Sequence, residues 1–288
     1  MVTKEKRQKK IAVINDISGF GRCSIAVSMP IISAMKMQSC LLPTSIFSAH
    51  TGFPGFVFTD YTKQMEPHMN HWKELELSFD GIMTGFLGSK QQIEIVGRFI
   101  REFKKKDTLV VVDPIMGDYG KLYPTYTEEM CDKMKHLVEL ADIVTPNLTE
   151  ACRLVDRPYI EGWPKKEELY DICKKIAAIG PKYIVITGIA HENSIINYVY
   201  EDGKDSLIEN PKIGDYRSGT GDVFSAIITG EMVKKYPAGD LEQSVKKAAD
   251  FIVKCMEYTN ELEMPLNCGL CFEEYLWELG KPEGWEEK

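Results

Sequence analysis

The chain has no apolar run long enough to cross a membrane. Its most apolar stretch, Ile25 to Met37, is interrupted by Ser28, Pro30, Ser33 and Lys36, well short of the roughly 18 apolar residues a span needs. No signal-peptide core is expected behind the basic amino terminus, because Asn15, Asp16 and Ser18 arrive too soon. Positive charge is in deficit. Lys and Arg total 35 against 43 Asp and Glu, a net charge of −8, so a nucleic-acid backbone would be repelled on average. Neither a membrane nor a nucleic-acid partner is expected. Cysteines at motif spacing are scarce: of the eight, only Cys268 and Cys271 have zinc or redox spacing, and Cys23, Cys40, Cys131, Cys152, Cys173 and Cys255 are scattered. That pattern fits reduced cytoplasmic thiols rather than a secreted disulfide framework. Chance accounts best for the lone pair, since no second pair exists and nothing brings the distant His68 and His71 to it.

Three common signatures are also absent. Without Gly-x-x-x-x-Gly-Lys-Ser/Thr there is no P-loop nucleotide site. The missing Gly-x-Gly-x-x-Gly after the first strand counts against a nicotinamide dehydrogenase, and the missing Gly-x-Ser-x-Gly against an ordinary serine hydrolase.

What is present is globular material: 288 residues, 44% hydrophobic and 27% charged, with ample substance for one large core. A basic leader over 1–10, carrying Lys4, Lys6, Arg7, Lys9 and Lys10, is expected to be solvated, followed by one domain over 11–288. Short apolar runs predict strands at Ile11–Ile14, Cys40–Leu42, Gly81–Met83, Leu109–Val112, Ile143–Val144 and Tyr183–Ile186. Helical spacing links Ile93, Val96, Ile100 and Phe103; Met130, Met134, Leu137 and Val138; and Leu169, Ile172, Cys173 and Ile176. The alternation predicts an α/β fold, a parallel sheet covered by helices on both faces. Ser194–Tyr200 and Leu207–Asn210, joined through Asp202-Gly203-Lys204, predict an antiparallel hairpin at one edge. Asn15 to Gly21 is expected to form a glycine loop after the first strand, and Pro30 to kink or restart the helix behind it.

Ligands of an open parallel sheet bind beyond the carboxyl ends of its strands, which draws attention to the polar residues there. Arg217-Ser218-Gly219-Thr220-Gly221-Asp222 is a glycine-rich turn entering an apolar helix, suited to an anionic oxygen because helix-start amides are unpaired and partly positive. Asp222 at its mouth can take a proton from an attacking alcohol; the competing interpretation is a plain helix cap. Asn147 and Glu150 have capping-box spacing, and Glu150 alternatively suits a magnesium-bound water. Asp113 and Asp118, in Asp113-Pro114-Ile115-Met116-Gly117-Asp118, add carboxylates to the same rim.

In combination these segments resemble the ribokinase-like superfamily and, within it, the pyridoxal kinase family of vitamin B6 kinases, from about Ile11 to the helix after Asp222. Phe47-Ser48-Ala49-His50-Thr51-Gly52 is similar to that family's substrate-side segment, and Thr84-Gly85-Phe86-Leu87-Gly88-Ser89 to its following strand end. Thr145-Pro146-Asn147 with Glu150 resembles the magnesium-associated motif, and Gly219-Thr220-Gly221-Asp222 the anion hole and base. The resemblance implies an open, mostly parallel sheet without a separate lid domain, and transfer of the ATP γ-phosphate to the 5′-hydroxymethyl group of pyridoxal, pyridoxine or pyridoxamine. It makes Asp222 the base and Gly219, Thr220 and Gly221 the anion hole. Asp113 and Glu150 become magnesium ligands, and Asp118, Asn147 and Thr187 line the nucleotide. Asp16, Ser18, His50, Thr51 and Tyr123 face the ring. Homodimers are usual in the family, and a monovalent cation beside magnesium is left open. Asn15 to Gly21, by contrast, is closer to the Asp-x-Ser-Gly loop of hydroxymethylpyrimidine kinases, although those commonly carry Cys where this chain has Asp222. A silent vitamer-binding protein on the same fold is the alternative of another class.

Overall fold

The computed structural model describes residues 7–281. Lys4 and Lys6 of the basic leader, and residues 282–288 of the expected domain, lie outside them.

Among the described residues nine strands form one sheet in the order β11-β10-β9-β8-β5-β4-β1-β2-β3. The parallel centre is β1 (Lys10–Ser18), β2 (Gln38–Phe47), β4 (Gly81–Thr84), β5 (Leu109–Val112), β8 (Ile143–Val144) and β9 (Tyr183–His191). β4, β5 and β8 are buried at every position, as expected of strands covered on both faces. The predicted hairpin is β10 (Ser194–Glu201) with β11 (Lys204–Pro211), antiparallel at one edge. At the other edge β3 (Phe58–Asp60), which has no clear sequence signal, runs antiparallel to β2. A second small sheet, β6 (Gly117–Asp118) with β7 (Lys121–Leu122), is also new; two-residue strands are too short for any periodicity to announce.

One face of the sheet carries α2 (Thr62–Glu74), α3 (Lys90–Phe103), α4 (Glu128–Val138), α5 (Leu148–Leu154) and α6 (Lys166–Ala177), around Phe99, Met134 and Ile172. The other carries α1 (Ile25–Ala34), α7 (Thr220–Lys235), α8 (Leu241–Glu261) and the short α9 (Leu276–Leu279), around Ile31, Ile227 and Val245. Ser89, Thr127 and Asp240 cap α3, α4 and α8 by accepting backbone N–H bonds, satisfying donors that a helix start leaves unpaired.

Two expectations change. Pro30 lies within α1, so the helix does not start afresh there; burial of Ile25, Val27, Ile31 and Ile32 on both sides of it holds the helix together despite the lost hydrogen bond. The end of the basic leader is anchored to the domain, although Arg7 stays exposed. Arg7 makes two 2.8 Å bonds to Asp80, and Lys9 Nζ donates to the carbonyls of Val233 and Lys234 at the end of α7, where a helix dipole welcomes a cation.

From β1 the chain moves outward to β2 and β3, then returns to β4 on the opposite side of β1. The β1–β4 seam is thus the topological switch point, where open α/β sheets bind ligands. α7 presses on this seam, since a Cβ on Gly81 would meet Val233 Cγ2 at 2.6 Å. Gly81→Ala is therefore expected to lose about 1–3 kcal/mol of stability through overpacking. Gly97→Ala inside α3, where the new Cβ meets only Arg101 Nη1 at 3.5 Å, should gain up to about 1 kcal/mol from helix propensity. Urea titrations of both variants check the opposite signs.

Candidate active site

The switch point is organised by one buried amide. Asn15, the last residue of β1 before a register shift, accepts from the N–H groups of Asp16 and Phe86 at 2.9 and 2.7 Å through Oδ1, and donates from Nδ2 to Asp222 Oδ1 at 3.1 Å. A Cβ on Gly85 would lie 2.3 Å from that Nδ2, so only glycine lets β4 approach so closely. The stretch from Asn15 to Ser18, expected in a loop, belongs to strand β1, because its polar side chains find partners inside the site rather than in water.

Asp222 lies in the first turn of α7, partly buried. Burial pushes its carboxyl up to about 6; the Ser24 N–H and the Asn15 amide oppose the rise, and the charge of Asp16 adds to it. Gly219, the N-cap of α7, has φ 84° and no room for a side chain, since a Cβ would stand 2.0 Å from the Arg22 carbonyl. Gly221 is exposed, and a Cβ there would meet nothing within 4 Å. The helix start therefore opens onto free space at Gly221. Thr220 turns its hydroxyl back to the Arg217 carbonyl at 3.2 Å.

Asp16 is buried, accepting from Ser18 Oγ at 3.1 Å and Ser24 Oγ at 2.6 Å, and burial raises its pKa. Ser24 holds φ 56° to reach it, a strained backbone of the kind that clusters at functional sites. Cys23 adjoins this group, its thiol pushed up to about 12 by burial and by Asp222; it is an uncharged neighbour. His50 is fully engaged by protein: Nδ1 accepts from the Gly52 N–H at 3.0 Å, and Nε2 lies 2.7 Å from the Asn267 carbonyl and 3.3 Å from Ser218 Oγ. Thr51 is exposed on the same turn.

The second half of the rim carries the other carboxylates. Asp113 follows β5 and accepts from Ser225 Oγ at 2.7 Å; Ser225 also lies 3.3 Å from Thr145 Oγ1. Its pKa is raised by burial and by the charge of Asp222. Asn147 and Glu150 form the capping box of α5: Glu150 Oε2 accepts from the Asn147 N–H at 2.8 Å, while Oε1 accepts from Met116 N–H at 3.0 Å. Burial, then Asp113 and Asp118, hold Glu150 well above the usual carboxylate range. Asp118 sits on the β6–β7 hairpin beside exposed Tyr119, with burial raising it too. Thr187, midway along β9, bridges to Asn147 beyond the end of β8, and Tyr123, just past β7, has its phenol raised by burial and by Tyr216.

Asp222, Asp113, Glu150 and Asp118 thus crowd one rim and oppose each other's ionisation. Among the described residues no group of three His, Cys, Asp or Glu side chains forms a ready metal cage. Hard oxygens with few direct carboxylates suit magnesium, which keeps several waters and takes further ligands from phosphates. Because Glu150 spends one lone pair of each oxygen on an N–H, its role toward a cation would run through water. Cys268 and Cys271 are both free thiols. Asn15, Ser24, Ser225, Tyr216 and Arg217 are missing from the site as anticipated from sequence; Asn15, a polar residue at a strand end, and Arg217, in the glycine-rich turn, carried a signal.

The raised pKa of Asp222 has a stability consequence. A carboxyl raised in the folded state favours folding fully at pH below its unfolded value, and that contribution is lost as pH rises through about 6. Asp222→Asn is accordingly expected to melt above the unsubstituted protein at pH 8, with the gain disappearing toward pH 4, in thermal scans across that range.

A family model described as phosphomethylpyrimidine kinase matches residues 70–268. The chain is 29% identical over 198 residues to a pyridoxine kinase of Bacillus subtilis (strain 168), covering 66% of this chain and 67% of that one. It is 28% identical over 191 residues to a hydroxymethylpyrimidine/phosphomethylpyrimidine kinase of Haemophilus influenzae, covering 64% and 65%. A Bacteroides thetaiotaomicron VPI-5482 protein bearing the phosphomethylpyrimidine kinase name, crystallised with pyridoxal, superposes with a TM-score of 0.91 at 37% identity, over 97% of this chain and 98% of that one. The chain belongs to the phosphomethylpyrimidine kinase family, in the ribokinase-like superfamily that also holds the pyridoxal kinases.

Proposed function

We propose that this protein is a cytoplasmic, ATP-dependent pyridoxal kinase, phosphorylating the 5′-hydroxymethyl group of pyridoxal, pyridoxine or pyridoxamine. The observation that carries this reading is Asp222 at the open, glycine-built start of α7, held by Asn15 at the switch point. The pyridoxal bound by the 37% identical relative supports the substrate.

Asp222 accepts the proton of the substrate hydroxyl as that oxygen bonds to the γ-phosphorus, and the bond from phosphorus to the bridging β–γ oxygen breaks to release ADP. The amides of Gly219, Thr220 and Gly221 hold the transferring oxygens. Asp16 and Ser18 orient the ring, with Thr51 and Tyr123 at its edge, while Asn147, Thr187 and Asp118 border the nucleotide. Asp113 and, through water, Glu150 would hold magnesium, which when bound neutralises phosphate charge. With a base near 6, kcat/KM is expected to rise through that pH and level off. Asp222→Asn is expected to lose roughly tenfold or more in turnover, without matching loss of ATP affinity.

A second reading, hydroxymethylpyrimidine kinase, draws on the family model and the Haemophilus relative. Magnesium- and ATP-dependent phosphorylation of the three B6 vitamers and hydroxymethylpyrimidine, assayed side by side, separates them. Fast turnover of a vitamer is the expected result. Turnover of the pyrimidine alone would favour the second reading, and silence on all four a binding protein.

Homodimerisation belongs to the same proposal. Among the described residues no strand pairs with the outer edge of β3, and Ile46, Phe56, Val57 and Phe58 are exposed beside it, an apolar edge of the kind that a second chain covers. Sedimentation of Val57→Asp is expected to show a monomer where the unsubstituted protein is a dimer.

A further inference from the structure

Arg217 stands two residues before the N-cap of α7 and is 5% exposed. Its guanidinium donates to the carbonyls of Met264 at 2.9 Å and Pro265 at 3.2 Å, and to Asn260 Oδ1 at 3.1 Å; its buried Nε has no partner. All three acceptors are neutral, and among the described residues no carboxylate pairs with this cation. A buried charge without a counter-ion is costly, and the cost is recovered when the bound state supplies an anion.

The surrounding backbone allows little adjustment. The anion-hole loop is pressed between the loop after β1 and the segment from Met264 to Phe272: a Cβ on Gly269 would lie 2.8 Å from the Arg22 carbonyl and 3.1 Å from that of Ser218. Three side chains from three different loops clip that segment in place. Arg22 donates to the Cys268 carbonyl at 3.2 Å, His50 bonds that of Asn267, and Arg217 those of Met264 and Pro265.

We propose that Arg217 is a positioning residue of the phosphoryl-transfer site: its uncompensated charge strengthens anion binding at the Gly219–Asp222 amides, and its carbonyl bonds fix the loop that presents them. The inference rests on the kinase reading of the same site, but its test does not require turnover.

Asn260→Asp keeps the shape and the acceptor while placing a carboxylate on the Arg217 guanidinium, cancelling its charge in position. If Arg217 were merely structural, this better-held arginine would leave anion binding untouched. We expect Asn260→Asp to melt at or above the temperature of the unsubstituted protein yet bind inorganic pyrophosphate about tenfold more weakly by calorimetry, a drop of the size expected for one charge at intermediate effective dielectric. Arg217→Gln should show a similar loss of affinity with a lower melting temperature, and Arg217→Lys should retain most of the affinity. Unchanged pyrophosphate affinity in Asn260→Asp and Arg217→Gln would overturn the proposal, as would absence of pyrophosphate binding to the unsubstituted protein. If no alcohol is phosphorylated while the affinities follow this order, the kinase reading fails and the role of Arg217 stands.

Discussion

The site depends on the hydrogen bonds of Asn15. Its side chain fixes the end of β1 to the strand end beyond β4 through the Phe86 N–H, and fixes both to the start of α7 through Asp222. Sheet topology supplies the crevice between β1 and β4, but only a short polar side chain there can join the two strands and the helix at once. Gly85 exists in that relation, since it lets backbone come close enough for the amide to span the gap, while Gly81 at the other end of β4 admits Val233 of α7.

From this junction follows the electrostatic character of the rim. Asp222 and Asp113 are raised first by burial and then by neighbouring carboxylates, as is Glu150. Such a cluster opposes folding at neutral pH and favours whatever cation joins it. The same helix start that carries Asp222 also presents backbone amides beside the exposed Gly221, and two residues before its N-cap lies the buried Arg217, which no carboxylate pairs among the described residues. Demands for positive and for negative charge thus meet in one crevice, an arrangement matched by a metal-bound phosphate chain. Stability is given up locally for that complementarity.

Much of this was legible in the chain. The central strands announced themselves as apolar runs because both their faces are covered, and α3, α4 and α6 by spacing because one face of each is wet. Asp222, Glu150 and Asp113 stood out because each follows a strand or opens a helix. Local pattern could not show that Asn15 to Ser18 continues β1, since polar residues inside a strand read as a loop until their partners are known. Ser24 and Ser225 were hidden for the same reason, their partners lying 8 and 112 positions away, and Arg217 stood in the glycine-rich turn with nothing to show its acceptors 47 positions away. His50 stood out as a ring contact, whereas its nitrogens already serve Gly52 and Asn267.

The central claim is that Asn15 and the partial burial of Asp222 in the first turn of α7 together set this carboxyl as a base working near neutrality. Carbon-13 NMR titration of the Asp222 carboxyl, in the unsubstituted protein and in Asn15→Leu, tests it most directly. A midpoint near 6, moving higher when the Asn15 amide is removed, is the predicted result. A midpoint near 4 in the unsubstituted protein, or one indifferent to Asn15, would contradict it.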